Sequence, residues 1–188
     1  MTAICKVFDA LRGPGIFEIF WRILTNASIL SRDEVAVASA VLGANAIRYD
    51  DVRVAEGKLL NIIFRLNGNR AFATFHTINF PRVNGCSRKR LDIIVHELVH
   101  VLQFEKVGSV YIVQALKAQR KEGYSYGGWQ QLAADWNGGK HFRDFNREQQ
   151  GQIAQDYYNL VIAGNLPDED PASLAYKPFI EELQNGDL

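Results

Sequence analysis

Apolar positions at the start of the chain recur at helical spacing, so residues 3–24 are expected to be largely helical, with a break at Gly13-Pro14-Gly15. Past that break Ile16, Phe17, Ile19, Phe20, Trp21 and Ile23 form a dense apolar segment, expected to pack against the main body. Ser31, with Glu34 three residues on, is a capping-box pattern that predicts a helix over about 32–42 ending at Gly43. From Ile47 the period changes. Ile47–Tyr49 and Val52–Val54 predict a short extended segment around a turn at Asp50-Asp51. Ile62–Leu66 and Ala71–Phe80 flank Asn67-Gly68-Asn69, a hairpin signal. In the second of these strands Phe72, Thr74, His76 and Ile78 share a face, and Pro81 ends it.

Leu91, Ile94, Val95, Leu98 and Leu102 mark the stripe of a mostly buried helix, expected from Ser87 or Arg88 to about Phe104. After Gly108, Ser109 is expected to cap a helix over 110–119. Residues 122–145 are the least regular part, with a short helix at 129–135 and a turn at Gly138-Gly139. A long helix over about 147–162 follows a cap at Asp144 or Asn146, and Asp170-Pro171 opens a last one reaching about Leu183. The expectation is a mostly helical α+β chain with a small antiparallel hairpin ahead of the helix at 91–104, all 188 residues in one domain.

That helix carries the chemistry. His96, Glu97 and His100 stand in the spacing H-E-x-x-H. Residues four apart lie one above the other on a helix, so both imidazoles can face one metal ion, and Glu97 can reach a water on it. Catalytic zinc takes three protein ligands and keeps a fourth position open. Glu148, near the start of the helix in NREQQGQIAQDYY, is the preferred third ligand, because helix-borne ligands are held rigidly. His141, Asp156 and His76 are the alternatives. Asp156 or Asp92 could accept the second ring N–H of a ligating histidine. His141, Tyr124, Tyr126 or Tyr157 could donate to a transition-state oxyanion. With Zn2+ held by His96, His100 and Glu148, and Glu97 as general base, the reaction best matched is peptide-bond hydrolysis.

Charge narrows the partners. Twenty-one basic and twenty-one acidic side chains leave a net charge of zero, so there is no positive field for nucleic acid. Arg88-Lys89-Arg90 reads as the solvated start of a helix. No apolar run is long enough to span a membrane, and the N-terminus does not read as a cleavable signal peptide. Cys5 and Cys86 are expected to be free thiols rather than a disulfide framework.

The HELVHVLQ segment, the YIVQALKAQ helix and FRDFNREQQGQIAQDYY, with RILTNASILSRDEVAVASAVLGANAIRYDDVRV and AFATFHTINFP upstream, resemble the zincin-type metallopeptidase domains attached to bacterial type VI secretion spike (VgrG-like) proteins and related effectors. The resemblance covers roughly residues 20–162, with His96, Glu97 and His100 on the family's motif and Glu148 on its downstream glutamate ligand. It implies a compact α+β zincin domain acting as an antibacterial toxin on a cell-envelope protein or peptide. It also implies a spike protein as carrier, an immunity protein in the producing cell, and delivery without a signal peptide from the cytoplasm to the target periplasm. This chain departs in having no attached spike, so it is expected to be an excised domain or a stand-alone effector. Two other readings remain: an inactive zincin-fold binding module, and a regulatory protease that is not an effector.

Overall fold

The computed structural model describes residues 2–11, 13–56, 64–65, 68–81, 87–121 and 123–188. In chain order the first half runs α1 (Thr2–Ala10), α2 (Gly13–Thr25), β1 (Ser28–Ile29), α3 (Arg32–Leu42), β2 (Arg53–Glu56), β3 (Phe72–Thr74) and β4 (Thr77–Phe80). The second half is helical: α4 (Leu91–Val107), α5 (Val110–Lys121), α6 (Gly128–Asn137), α7 (Arg147–Tyr157) and α8 (Pro171–Asn185). Two 3-10 turns, Tyr49–Asp51 and Phe142–Asp144, and a π-helical turn after α7 at Tyr158–Ile162 complete it. The chain is thus a mostly helical α+β fold.

The helix α4 is the axis. Ile94, Val95, Leu98, Val99, Val101 and Leu102 are all buried, and a helix apolar on every side belongs in a core. The helices α3, α5 and α7 and the strands β3 and β4 pack around it. Its regular part starts at Leu91, later than Ser87 or Arg88, because Ser87–Arg90 forms a turn closed by Arg90 N donating to Ser87 O. In the basic run Lys89 and Arg90 are exposed just ahead of the helix, as expected, and Arg88 is the exception. Arg88 donates to both carboxylate oxygens of the buried Glu34 (2.8 and 2.6 Å) and to Ile29 O, tying α4 to α3, and Arg90 pairs with Asp92. Glu34 also closes the expected capping box with Ser31, and Gly43 ends α3.

The small sheet has the order β1-β2-β4-β3 and is mixed: β2 and β4 are parallel, and the outer pairs are antiparallel. The expected single strand Ala71–Phe80 is in fact a hairpin, reversed at Phe75-His76 with Phe75 in the left-handed region at φ 54°. No glycine marks the reversal. Aromatic packing of Phe75 against Phe17 and Phe104 holds it instead, and Asn79 Nδ2 bonds back to Phe72 O and Thr74 Oγ1. His76 therefore sits in a turn, not on a strand face with Phe72 and Ile78. Of the strand expected at Ile62–Leu66, Phe64 and Arg65 are helical, and the rest lies outside the described residues.

The start of the chain departs most. The expected break falls between α1 and α2, and Gly13-Pro14-Gly15 opens α2 just beyond it, since proline is tolerated in a first turn. The face that α2 turns to the body is polar. Glu18 accepts from His76 N (2.8 Å) and Thr77 Oγ1, Trp21 Nε1 donates to Asn79 Oδ1 (2.9 Å), and Arg22 donates to Asp51 O (2.7 Å). With that face committed, Ile16, Ile19, Phe20 and Ile23 of the apolar segment expected to pack inward point outward, while Trp21 and Phe17 meet the body at Asn79 and Phe75. The N–H and hydroxyl of Ser109, just ahead of α5, both donate to Asp9 of α1. Cys5 is a free thiol, and Cys86 lies outside the described residues.

Candidate metal centre

His96, Glu97 and His100 occupy one turn of α4, and Glu148 is in the first turn of α7, which packs along it. Asn146 fixes where α7 begins: its Oδ1 accepts from Glu148 N (3.0 Å) and Gln149 N (2.9 Å), and Gln149 returns a bond to Asn146 N. Glu148 Oε2 thereby lies 3.6 Å from His96 Nε2 and 3.7 Å from His100 Nε2. All three side chains are buried, and their donor atoms lie within 4.8 Å of one another.

The spacing tests whether a metal fits. A hydrogen bond wants about 2.7–3.2 Å. Atoms held at 2.0–2.1 Å by one tetrahedral ion lie about 3.3–3.4 Å apart. The two His–Glu distances, 3.6 and 3.7 Å, are too long for hydrogen bonds and only slightly wider than the second arrangement. Gln103 sets the tautomer of His100. Its Nε2 donates to Arg147 O (3.1 Å) and Gln150 Oε1 (2.9 Å), so its Oε1 accepts from His100 Nδ1 at 2.8 Å. Gln150 is fixed in turn by donating to Phe142 O. In the neutral tautomer the lone pair of His100 then lies on Nε2, the nitrogen that faces Glu148, where it can ligate a metal. Two imidazoles and a carboxylate in this arrangement fit a divalent metal.

The charges agree. Burial acts to lower the His100 pKa, but the Glu148 charge outweighs it and carries it to about 9. Burial acts to raise Glu148, yet His100 and His96 hold it well below the carboxylate range. Glu97 goes the other way: burial pushes its pKa up despite both histidines. The Ala73 N–H on β3 donates to its carboxylate, and Oε2 has no hydrogen-bond partner among the described residues. Ala73 O accepts from the buried Tyr111 hydroxyl at 2.8 Å, so β3 braces both Glu97 and α5.

Of the tyrosines considered as donors, Tyr124 is at the site. Its ring centroid is 5.9 Å from that of His96, and its hydroxyl bonds with Arg70 and Glu148. The Arg70 guanidinium also lies 5.0 Å over its ring centroid. Tyr126 is engaged elsewhere, with Asp156 (2.7 Å) and Tyr176, and Tyr157 packs on Tyr176. His141 bonds Glu182 at 2.6 Å, and His76 lies between Glu18 and Glu105, so neither joins the cluster. The supporting roles offered to Asp92 and Asp156 fail as well. Arg90 and Gln155 occupy Asp92, and Tyr126 and Gln152 occupy Asp156, because these stronger or nearer donors reach them first. Sequence reasoning missed Gln103 and Gly151. Each stands three residues after a cluster residue, a spacing that puts it on the same helix face.

No protein-family model matches the chain, and no curated protein matches it. Among solved structures it is similar to the effector domain of Pseudomonas aeruginosa VgrG2b, with a TM-score of 0.51 and 23% identity. The match covers 80% of this chain and 82% of that one. The likeness is one of fold.

Proposed function

We propose that this chain is a zinc-dependent peptidase in which His96, His100 and Glu148 hold the metal and Glu97 is the general base. The observation that carries the reading is the convergence of His96 Nε2, His100 Nε2 and Glu148 Oε2 on one point, beside a buried Glu97 whose Oε2 is unpartnered among the described residues. Zinc suits two imidazoles and one carboxylate, and when bound it acidifies a water and polarises a carbonyl.

The chain's own residues supply the rest. Glu97, its pKa raised by burial, takes a proton from the water whose oxygen attacks the peptide carbonyl carbon. It returns that proton to the amide nitrogen as the C–N bond breaks, so the base ends the cycle as it began. Ala73 holds Glu97 in place, and Gln103 keeps the His100 lone pair on Nε2. Tyr124, with Arg70 donating to its oxygen, is the donor for the developing oxyanion.

The fold shared with the VgrG2b effector domain supports a role as a secreted antibacterial effector, with residues 1–188 acting as one domain. In that reading it travels with a secretion spike protein to the target periplasm, cuts an envelope protein or peptide, and is neutralised at home by an immunity protein.

The first test is the metal content of purified protein beside Glu148→Ala, followed by peptidase assays with Glu97→Gln. About one zinc per chain, lost in Glu148→Ala, together with turnover lost in Glu97→Gln, is the expected result. A protein that takes up no divalent metal on reconstitution would sink the enzyme reading and leave a binding module. Killing of competitor cells by wild type but not Glu97→Gln tests the effector role separately, and equal killing would overturn it.

A further inference from the structure

The helix α2 is inside out. Ile16, Ile19, Phe20, Ile23 and Leu24 are all exposed, Ile23 by 74% and Phe20 by 65%. At 3.6 residues per turn they span an arc of about 140°. The opposite side carries Glu18, Trp21 and Thr25, which bond to His76, Asn79 and the backbone of α2. A helix on a water-exposed surface has the reverse arrangement. Val7 of the neighbouring α1 and Leu11 just after it are exposed as well. Together these seven side chains present on the order of 800 Å², above the roughly 300–600 Å² of a typical monomer's largest apolar patch.

We propose that this face is a homodimer interface, with a second copy of the chain seated on it, α2 against α2. Three observations favour a second copy. The area is about that which each partner contributes to a standard interface. The stripe carries no charge, because the two charged residues of α2, Glu18 and Arg22, pair with each other at 3.2 Å on the body side. Two identical stripes can therefore meet about a two-fold axis without like charges opposing, as an isologous contact requires. A bilayer is the poorer fit: a surface-bound helix keeps a basic polar face toward the headgroups, and here that face is turned into the protein. The inference stands apart from the peptidase reading, and neither depends on the other.

Analytical ultracentrifugation of wild type over a range of micromolar concentrations, beside the double variant Phe20→Asp/Ile23→Asp, tests it. Wild type is expected at twice the chain mass, and the variant at the chain mass with an unchanged far-UV circular dichroism spectrum. Should the variant not fold, hydrogen exchange of wild type replaces it, with amides of 16–24 expected to slow as concentration rises. Exchange independent of concentration, a wild-type monomer throughout, or a folded variant that stays dimeric overturns the proposal. So does a monomer that co-sediments with vesicles of phosphatidylethanolamine and phosphatidylglycerol, which would assign the face to lipid.

Discussion

Gly151 lies against the ring of His96: a Cβ placed there would sit 2.8 Å from both Cε1 and Nε2 of the imidazole. That contact lets α7 run close enough to α4 for Glu148, one turn earlier, to reach both histidines. Alanine cannot be accommodated unless the ring moves. Gly151→Ala gains about 1 kcal/mol of helix propensity and loses about 1–3 kcal/mol to overpacking, so the net loss of stability should lie between zero and about 2 kcal/mol. Metal affinity and turnover should fall roughly a hundredfold, because the displaced ring is part of the cluster. Thermal unfolding and a zinc competition assay check this together. A variant with unaltered zinc affinity would show that His96 is free to adapt.

Gln103 is buried, and both its donors and its acceptor are used. Gln103→Leu keeps the volume and removes all three bonds. The buried His100 Nδ1 then loses its acceptor, costing about 1–3 kcal/mol, while Gln150 Oε1 keeps the bond from Arg147 Nη1 (3.2 Å). Loss of the tautomer control should weaken zinc binding about 10–100-fold. Denaturant unfolding of the metal-free protein separates the first effect from the second. Equal zinc affinity in variant and wild type would show that His100 is oriented by something else.

Tyr124→Phe removes a hydroxyl shared by Arg70 and Glu148 and leaves the ring beside His96. If that hydroxyl serves the oxyanion, kcat should drop about 10²–10³-fold with zinc content unchanged. A drop in zinc content of the same size would instead make Tyr124 a support for Glu148.

His76 gives a stability readout away from the cluster. Its Nδ1 lies 3.3 Å from Glu18 and its Nε2 2.9 Å from Glu105, with Arg22 pairing to Glu18, Arg48 to Glu105, and the Phe104 ring alongside. Burial acts to lower the His76 pKa, but the bonds and charges of Glu18 and then Glu105 raise it overall. Burial acts to raise Glu18, but His76 and Arg22 lower it overall. A raised histidine pKa stabilises fully below the unfolded value of 6.5 and is lost as pH climbs through the folded one. A lowered glutamate pKa stabilises above 4.5 and is lost as pH falls through the folded one. The pair is therefore strongest between those two pH values. Near pH 6, His76→Gln should cost about 3 kcal/mol, as breaking a buried charge pair does. That cost should shrink in urea unfolding as pH rises through the raised folded pKa of His76. A cost that does not vary with pH would mean His76 is held neutral.

The sequence by itself determined the features written in neighbouring residues. The H-E-x-x-H spacing on a helix, the Ser31–Glu34 capping box, the Gly43 stop and the caps at Asn146 and Asp170 all depend on contacts within one turn. Periodicity also indicated a helix bearing Glu148, though not that it would run alongside α4. Tertiary structure decided what depends on distant partners. Phe75 reverses a strand without glycine because Phe17 and Phe104, far away in the chain, pack against it. Arg88 became an anchor because Glu34 lies beneath it, and Gly151 matters only because His96 approaches. The orientation of α2 is the clearest case. Its pattern specified an amphipathic helix, but Asn79, His76 and the Asp51 carbonyl supplied bonds to its polar face, and burying that face left the apolar one outside. Periodicity says that a helix has two faces; which of them turns inward is set by the groups waiting on the body.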